Sequence, residues 1–211
     1  MLRWFSAVPF TLVMAGGLAL VAVLTGSHAG ELGEPDLRSH GFAAGHLWEL
    51  EVWRLITSVF LTLGAGTFWV SWGMVWLCVG IAERRFGTWR CAAVFWGVHV
   101  STLVLQSLVL ALPARQMELW WGQLLAAEHD VGPSAGYYGC LGAVMGDLRG
   151  PARWWLSAGL LVVLAGRLAR TLMLAAVEPV PVSADVAHVI AFGLGWSLRL
   201  QRRTARVDAF D

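Results

Sequence analysis

Two residues in this chain have types and positions from which covalent chemistry could be built. Ser134 opens an apolar segment directly after the turn Gly132-Pro133, and His188 lies in the last apolar segment, within Ala187-His188-Val189. A serine hydroxyl becomes a nucleophile when a base takes its proton, and imidazole is the side chain most often used for that step. A serine at the head of a helix is also an ordinary N-cap. The pair therefore carries a chemical reading only if the surrounding elements bring both side chains together. Asp185 precedes His188 by three residues, on roughly the same helix face. Its expected role is to cap the last helix with Ser183, with orientation of His188 as the alternative.

The elements that must position this pair are apolar. The chain has 211 residues, of which 57% are hydrophobic and only 14% charged, with 13 Trp. Its mean hydropathy is +0.64. A soluble domain carries about 25% charged residues, and a bilayer-spanning helix needs about 20 apolar ones. The composition is that of a polytopic all-α membrane protein with one domain over residues 1–211. Spans are expected at about 7–25, 67–82, 91–112, 134–148, 154–177 and 185–198, with a short polar tail at 199–211. The apolar run of the first is longer than the h-region of a signal peptide, about 7–15 residues, so it reads as a span. Leu47 to Arg54 is amphipathic and is expected to lie at the interface. Arg167 and Arg170, in the second half of the fifth span, are expected to snorkel towards the far interface.

Six spans put both termini on one side. Arg3, Arg84, Arg85, Arg90, Arg149, Arg153, Arg199, Arg202, Arg203 and Arg206 share that side, against Arg38, Arg54 and Arg115 in the opposite loops. The positive-inside rule then makes both termini cytoplasmic. The fourth and sixth spans both start from the outer face, which sets Ser134 and His188 at a similar depth. Small residues at Ala135, Gly139 and Gly142 mark a face that another helix can approach closely.

Other polar features read as structural. His28, His40 and His46 have no zinc spacing and are expected to be solvated. His99 is expected to make a helix contact, and Glu128-His129-Asp130 to form a solvated turn. Cys78, Cys91 and Cys140 lack CxxC spacing and read as small buried residues. No metal or cofactor is implied, and no basic run interleaved with aromatics suggests nucleic acid. The sequence specifies no oligomeric state.

Four ordered motifs between Glu51 and Leu198 resemble the rhomboid family of intramembrane serine proteases. They are Trp53-Arg54, Glu83-Arg84-Arg85-Phe86-Gly87, Gly132-Pro133-Ser134 with Tyr138 and Gly142 beyond it, and Ala187-His188 with Gly195 beyond it. The resemblance implies a six-transmembrane-helix rhomboid-like bundle in the lipid bilayer, in a bacterial plasma membrane. It implies a Ser134–His188 dyad without an acidic third member, Tyr138 packed under the imidazole, and transmembrane proteins as substrates. Trp53, Arg54, Glu83 and Arg85 would be structural motif residues, and Gly132 would support the nucleophile.

The pattern also departs from the family. Where rhomboids place a His and an Asn four residues apart, this chain has Thr67 and Ser71, and Thr62 stands where many members carry another histidine. Hydroxyls at 67 and 71 are shorter donors for an oxyanion, and losing one such donor costs about 3–4 kcal/mol of transition-state stabilisation. Pro133 has no N–H to offer. Ala135 replaces the glycine that usually follows the serine, which is expected to restrict the approach of spans four and six. Two functions follow: a protease with altered oxyanion chemistry, or a catalytically inactive, derlin-like protein that binds transmembrane clients.

Overall fold

Long apolar runs punctuated by glycine give helices throughout, and the computed structural model describes residues 8–175 and 182–198. The expected polar tail at 199–211, the end of the fifth span at 176–177 and the first residue of the first span lie outside the described residues. Helix α1 is Pro9–Thr25, with Pro9 at its first position, where a missing N–H costs nothing. A loop with three short helices follows: α2 (Glu34–His40), α3 (Ala44–Trp48) and α4 (Arg54–Thr57). Helix α5 is Ala65–Phe86 and α6 is Thr88–Gln116. After α7 (Trp120–Ala127) come α8 (Ser134–Gly146), α9 (Pro151–Leu174) and α10 (Val182–Ser197). Helices α5, α6 and α9 are long and apolar enough to cross a membrane, and α1 is a shorter apolar helix.

Helix α5 runs four residues past its expected end because its charges are paired. Glu83 is buried and accepts hydrogen bonds from Phe10 N–H (2.9 Å), Thr11 N–H (2.8 Å) and the Thr11 hydroxyl (2.8 Å). It thus satisfies orphan donors at the head of α1. Arg85 donates Nε–H to Asp147 at the end of α8 (2.7 Å). Gly87, at φ 87°, then breaks the helix. Helix α6 also outruns its expected limit, continuing through Pro113 after a π-turn at Gln106–Ala111.

The loop between α1 and α5 is folded rather than loose. Arg54 is buried, pairs with Glu51, and donates Nη1–H to the carbonyls of Arg38 (2.6 Å) and Gly41 (3.0 Å). His99 meets the expectation of a helix contact by donating Nε2–H to the Leu55 carbonyl (3.0 Å), which fastens this loop to α6. Phe42 and Asp130 form an isolated antiparallel bridge, joining the loop to the segment before Ser134. Cys78, Cys91 and Cys140 are all buried thiols.

Helix α8 sits at the centre, between α6 and α10. A Cβ added at Gly195 would lie 2.0 Å from the Gly139 carbonyl oxygen, and one at Gly142 would lie 2.3 Å from that of Phe192. Gly146 meets the Trp196 carbonyl in the same way at 2.5 Å. The backbones of α8 and α10 therefore touch over three levels, as small residues in a bilayer permit. Ala135 does not prevent this approach; it is buried in the core beside the contact.

Candidate active site

Gly132 adopts φ 109°, a left-handed conformation that favours glycine. Its N–H donates to the Ser58 carbonyl (2.8 Å), which ties the turn to the first loop. Pro133 then caps α8, and Ser134 is the first helical residue, half-buried. Tyr138 lies four residues on, one turn deeper on the same face. From α10, the buried His188 ring stacks against Tyr138, with centroids 4.6 Å apart and planes tilted by 46°. The aromatic face thus limits how the imidazole can turn. Among the described residues, no hydrogen bond joins the Ser134 hydroxyl to His188.

Thr67 and Ser71 have different placements. The exposed Thr67 hydroxyl donates to the Gly64 carbonyl (2.8 Å) and accepts from Gly64 N–H (3.0 Å), closing the head of α5. Ser71, one turn deeper, lies beside the Tyr137 hydroxyl. Thr62 is buried and shares a hydrogen bond with Ser27 (3.2 Å). Trp53 is about half exposed, next to Arg54.

Two acids lie near His188: Asp185, whose orienting role the sequence offered only as the alternative, and Asp130, which sequence reasoning missed; Glu128 joins them at the head of α10. Asp185 was expected to cap α10, but it lies inside the first turn with 4% exposure, and its carboxylate points into a cluster. One oxygen accepts from the Thr171 hydroxyl (2.6 Å); the other lies 3.0 Å from Arg167 Nη2 and 3.5 Å from His188 Nδ1. Arg167 is therefore paired with Asp185 instead of snorkelling alone, whereas Arg170 is exposed. The first turn of α10 is held from outside. Glu128 accepts from Ser183 N–H (2.9 Å), and Gln106 donates to the Ser183 hydroxyl (2.5 Å).

Glu128-His129-Asp130 is consequently not a solvated turn. Burial pushes the Glu128 carboxyl up to about 7. It pushes Asp130 up to about 6, against the pull of nearby His188. The His129 ring lies 5.4 Å from that of His46, and burial lowers the pKa of both. His46 is no free loop histidine, since its Nδ1 accepts from Ala43 N–H (2.9 Å). His28 likewise donates Nδ1–H to the Ala22 carbonyl (3.0 Å). The one sequence signal for these roles was the three-residue spacing of Asp185 and His188.

No curated protein and no solved structure gives a match to the chain. The Rhomboid domain does match, over residues 49–203. That interval starts just before the Trp53-Arg54 loop and takes in α5, α6, α8, α9 and α10, so it contains every motif on which the resemblance rests, and the chain belongs to the rhomboid family.

Proposed function

We propose that this protein is an intramembrane serine protease of rhomboid type, cleaving transmembrane substrates near the outer membrane face through Ser134 and His188. Helices α1, α5, α6, α8, α9 and α10 cross a bacterial plasma membrane as one domain, with both termini cytoplasmic. The arginine distribution supports that orientation. The observation that carries the reading is the placement of His188, stacked on Tyr138 one turn below Ser134, across two helices whose backbones touch.

In this reading His188 takes the Ser134 proton as Oγ bonds to the substrate carbonyl carbon. Ser134 heads a 13-residue helix. The N–H groups of its first turn have no helical acceptor, and the positive end of the helix dipole lies there. These donors, with the Ser71 hydroxyl, stabilise the oxyanion, while Gly132 holds the turn and Thr67 shapes the head of α5. The C–N bond then breaks as His188 passes its proton to the leaving amine. Water hydrolyses the acyl-serine by the same route in reverse order.

Two observations favour the inactive, client-binding reading: the Thr67 hydroxyl is engaged in capping α5, and Ser134 and His188 share no hydrogen bond among the described residues. Cleavage of a single-span reporter in liposomes separates the two. The protease reading expects cleavage by the wild type and none by Ser134→Ala or His188→Ala. Equal cleavage by wild type and Ser134→Ala refutes it. If neither cleaves and both retain intact single-span clients, the binding reading stands.

A further inference from the structure

His188 Nδ1 is buried and has no hydrogen-bond partner among the described residues, and the buried Asp185 Oδ1 beside it has an ion pair with Arg167 Nη2 at 3.0 Å but accepts no hydrogen bond among them. Nδ1 and Oδ1 lie 3.5 Å apart on successive turns of α10. A buried ring nitrogen left unpaired is costly, so a buried carboxylate oxygen facing it across so small a gap is its natural acceptor. The carboxylate is also held in place from another helix. Thr171 of α9 occupies its second oxygen, and Arg167, one turn earlier on α9, balances its charge. Both contacts from α9 leave Oδ1 still facing the imidazole of its own helix.

We propose that Asp185 is a positioning residue for His188: it accepts Nδ1–H, fixes the imidazole in one tautomer, and leaves the Nε2 lone pair for the Ser134 proton. The serine step rests on the protease reading above; the effect on the tautomer does not. Which nitrogen of a histidine carries the proton is set by the hydrogen bond its other nitrogen makes. The remaining groups around the ring do not compete for Nδ1. Tyr138 of α8 offers its ring face. Asp130, in the segment before α8, lies close enough to feel the His188 charge but makes no ion-pair contact with it among the described residues. Glu128 is committed to Ser183 N–H, and Arg167 and Thr171 face the carboxylate.

The test is nitrogen-15 NMR of the full chain, labelled at histidine and reconstituted in bilayers, with His188→Gln used to assign the His188 signals. Under conditions where the ring is neutral, wild type should show Nδ1 protonated and Nε2 bare. Asp185→Asn should redistribute the proton between the two nitrogens, while Asp130→Asn keeps the wild-type pattern. In reporter cleavage, Asp185→Asn should lower kcat at least about tenfold with KM within about twofold, below the ceiling of about 10⁴ for the buried acid of a complete triad. Asp185→Glu should recover part of that loss. A wild type protonated mainly on Nε2, or an Asp185→Asn spectrum and kcat equal to wild type, overturns the proposal. An equal shift in Asp130→Asn overturns the assignment to Asp185. A wild type that cleaves nothing refutes the protease reading alone, and the tautomer still decides on Asp185. The wild-type spectrum suffices where Asp185→Asn does not fold.

Discussion

The contact between α8 and α10 sets the separation of Ser134 and His188, and two glycines on α10 test it as a matched pair. A methyl group at Gly195 would be built 2.0 Å from the Gly139 carbonyl oxygen, 2.7 Å from its carbonyl carbon and 2.9 Å from its Cα. Carbon and carbonyl oxygen pack at about 3.3–3.6 Å, so the helices must part by more than about 1 Å at that level. The obstruction is helix backbone and cannot rotate away. Overpacking of this kind costs about 1–3 kcal/mol. Because Gly142 and Gly146 make the same kind of approach, parting at Gly195 also loosens the neighbouring levels, and the upper end of that range is expected for Gly195→Ala. A methyl at Gly193, two residues away, meets nothing within 4 Å. Gly193→Ala should be neutral or stabilising by up to about 1 kcal/mol through helix propensity. Thermal unfolding in detergent micelles reads both, and the rate of cleavage should fall only in Gly195→Ala. Equal unfolding temperatures for the two variants would refute a backbone contact between α8 and α10.

Three further outcomes are expected. Glu83→Ala leaves three donors at the head of α1 without their acceptor and should destabilise the fold by about 3 kcal/mol or more, measured by the same unfolding assay. Because burial favours neutral Glu128, the folded chain holds its proton up to about pH 7, whereas an unfolded chain releases it near 4.5. Stability should therefore fall as pH rises from about 4.5 to 7, by on the order of 3 kcal/mol, and level off above; Asp130 adds a fall in the same direction ending near pH 6. Glu128→Gln should flatten the curve between pH 6 and 7, and an unchanged slope there would show that Glu128 is not the group responsible. Finally, Ser71→Ala should lower kcat about 10²-fold, the scale of one oxyanion donor. Thr67→Val should instead cost about 1 kcal/mol of stability through the lost cap and leave kcat within about twofold, so the reverse pattern would exchange their assigned roles.

The helices were legible where one segment contained its own cause. Apolar runs placed α5, α6 and α9, and small residues at 139 and 142 marked the face that α10 touches. The ends of those helices were not legible, because nothing local shows that Glu83 and Arg85 are paired with Phe10, Thr11 and Asp147, which lie far away in the chain. The acids near His188 were obscured for the same reason. Nothing local distinguishes a solvated Glu128-His129-Asp130 from one clamped between Ser183 and Phe42. Asp185 looked like a cap because its partners Thr171 and Arg167 belong to α9, while the helix head it was expected to cap is bonded by Glu128 instead. Thr67 shows the converse: its offset in the motif suggested chemistry, and its own helix start used the hydroxyl first.

The central claim is that Ser134 is a nucleophile activated by His188. A fluorophosphonate probe applied to the protein in liposomes, followed by mass spectrometry of the modified peptide, tests it directly. The account predicts phosphonylation of Ser134 in the wild type and its loss in His188→Ala. An unmodified Ser134, or equal modification with and without His188, would contradict it.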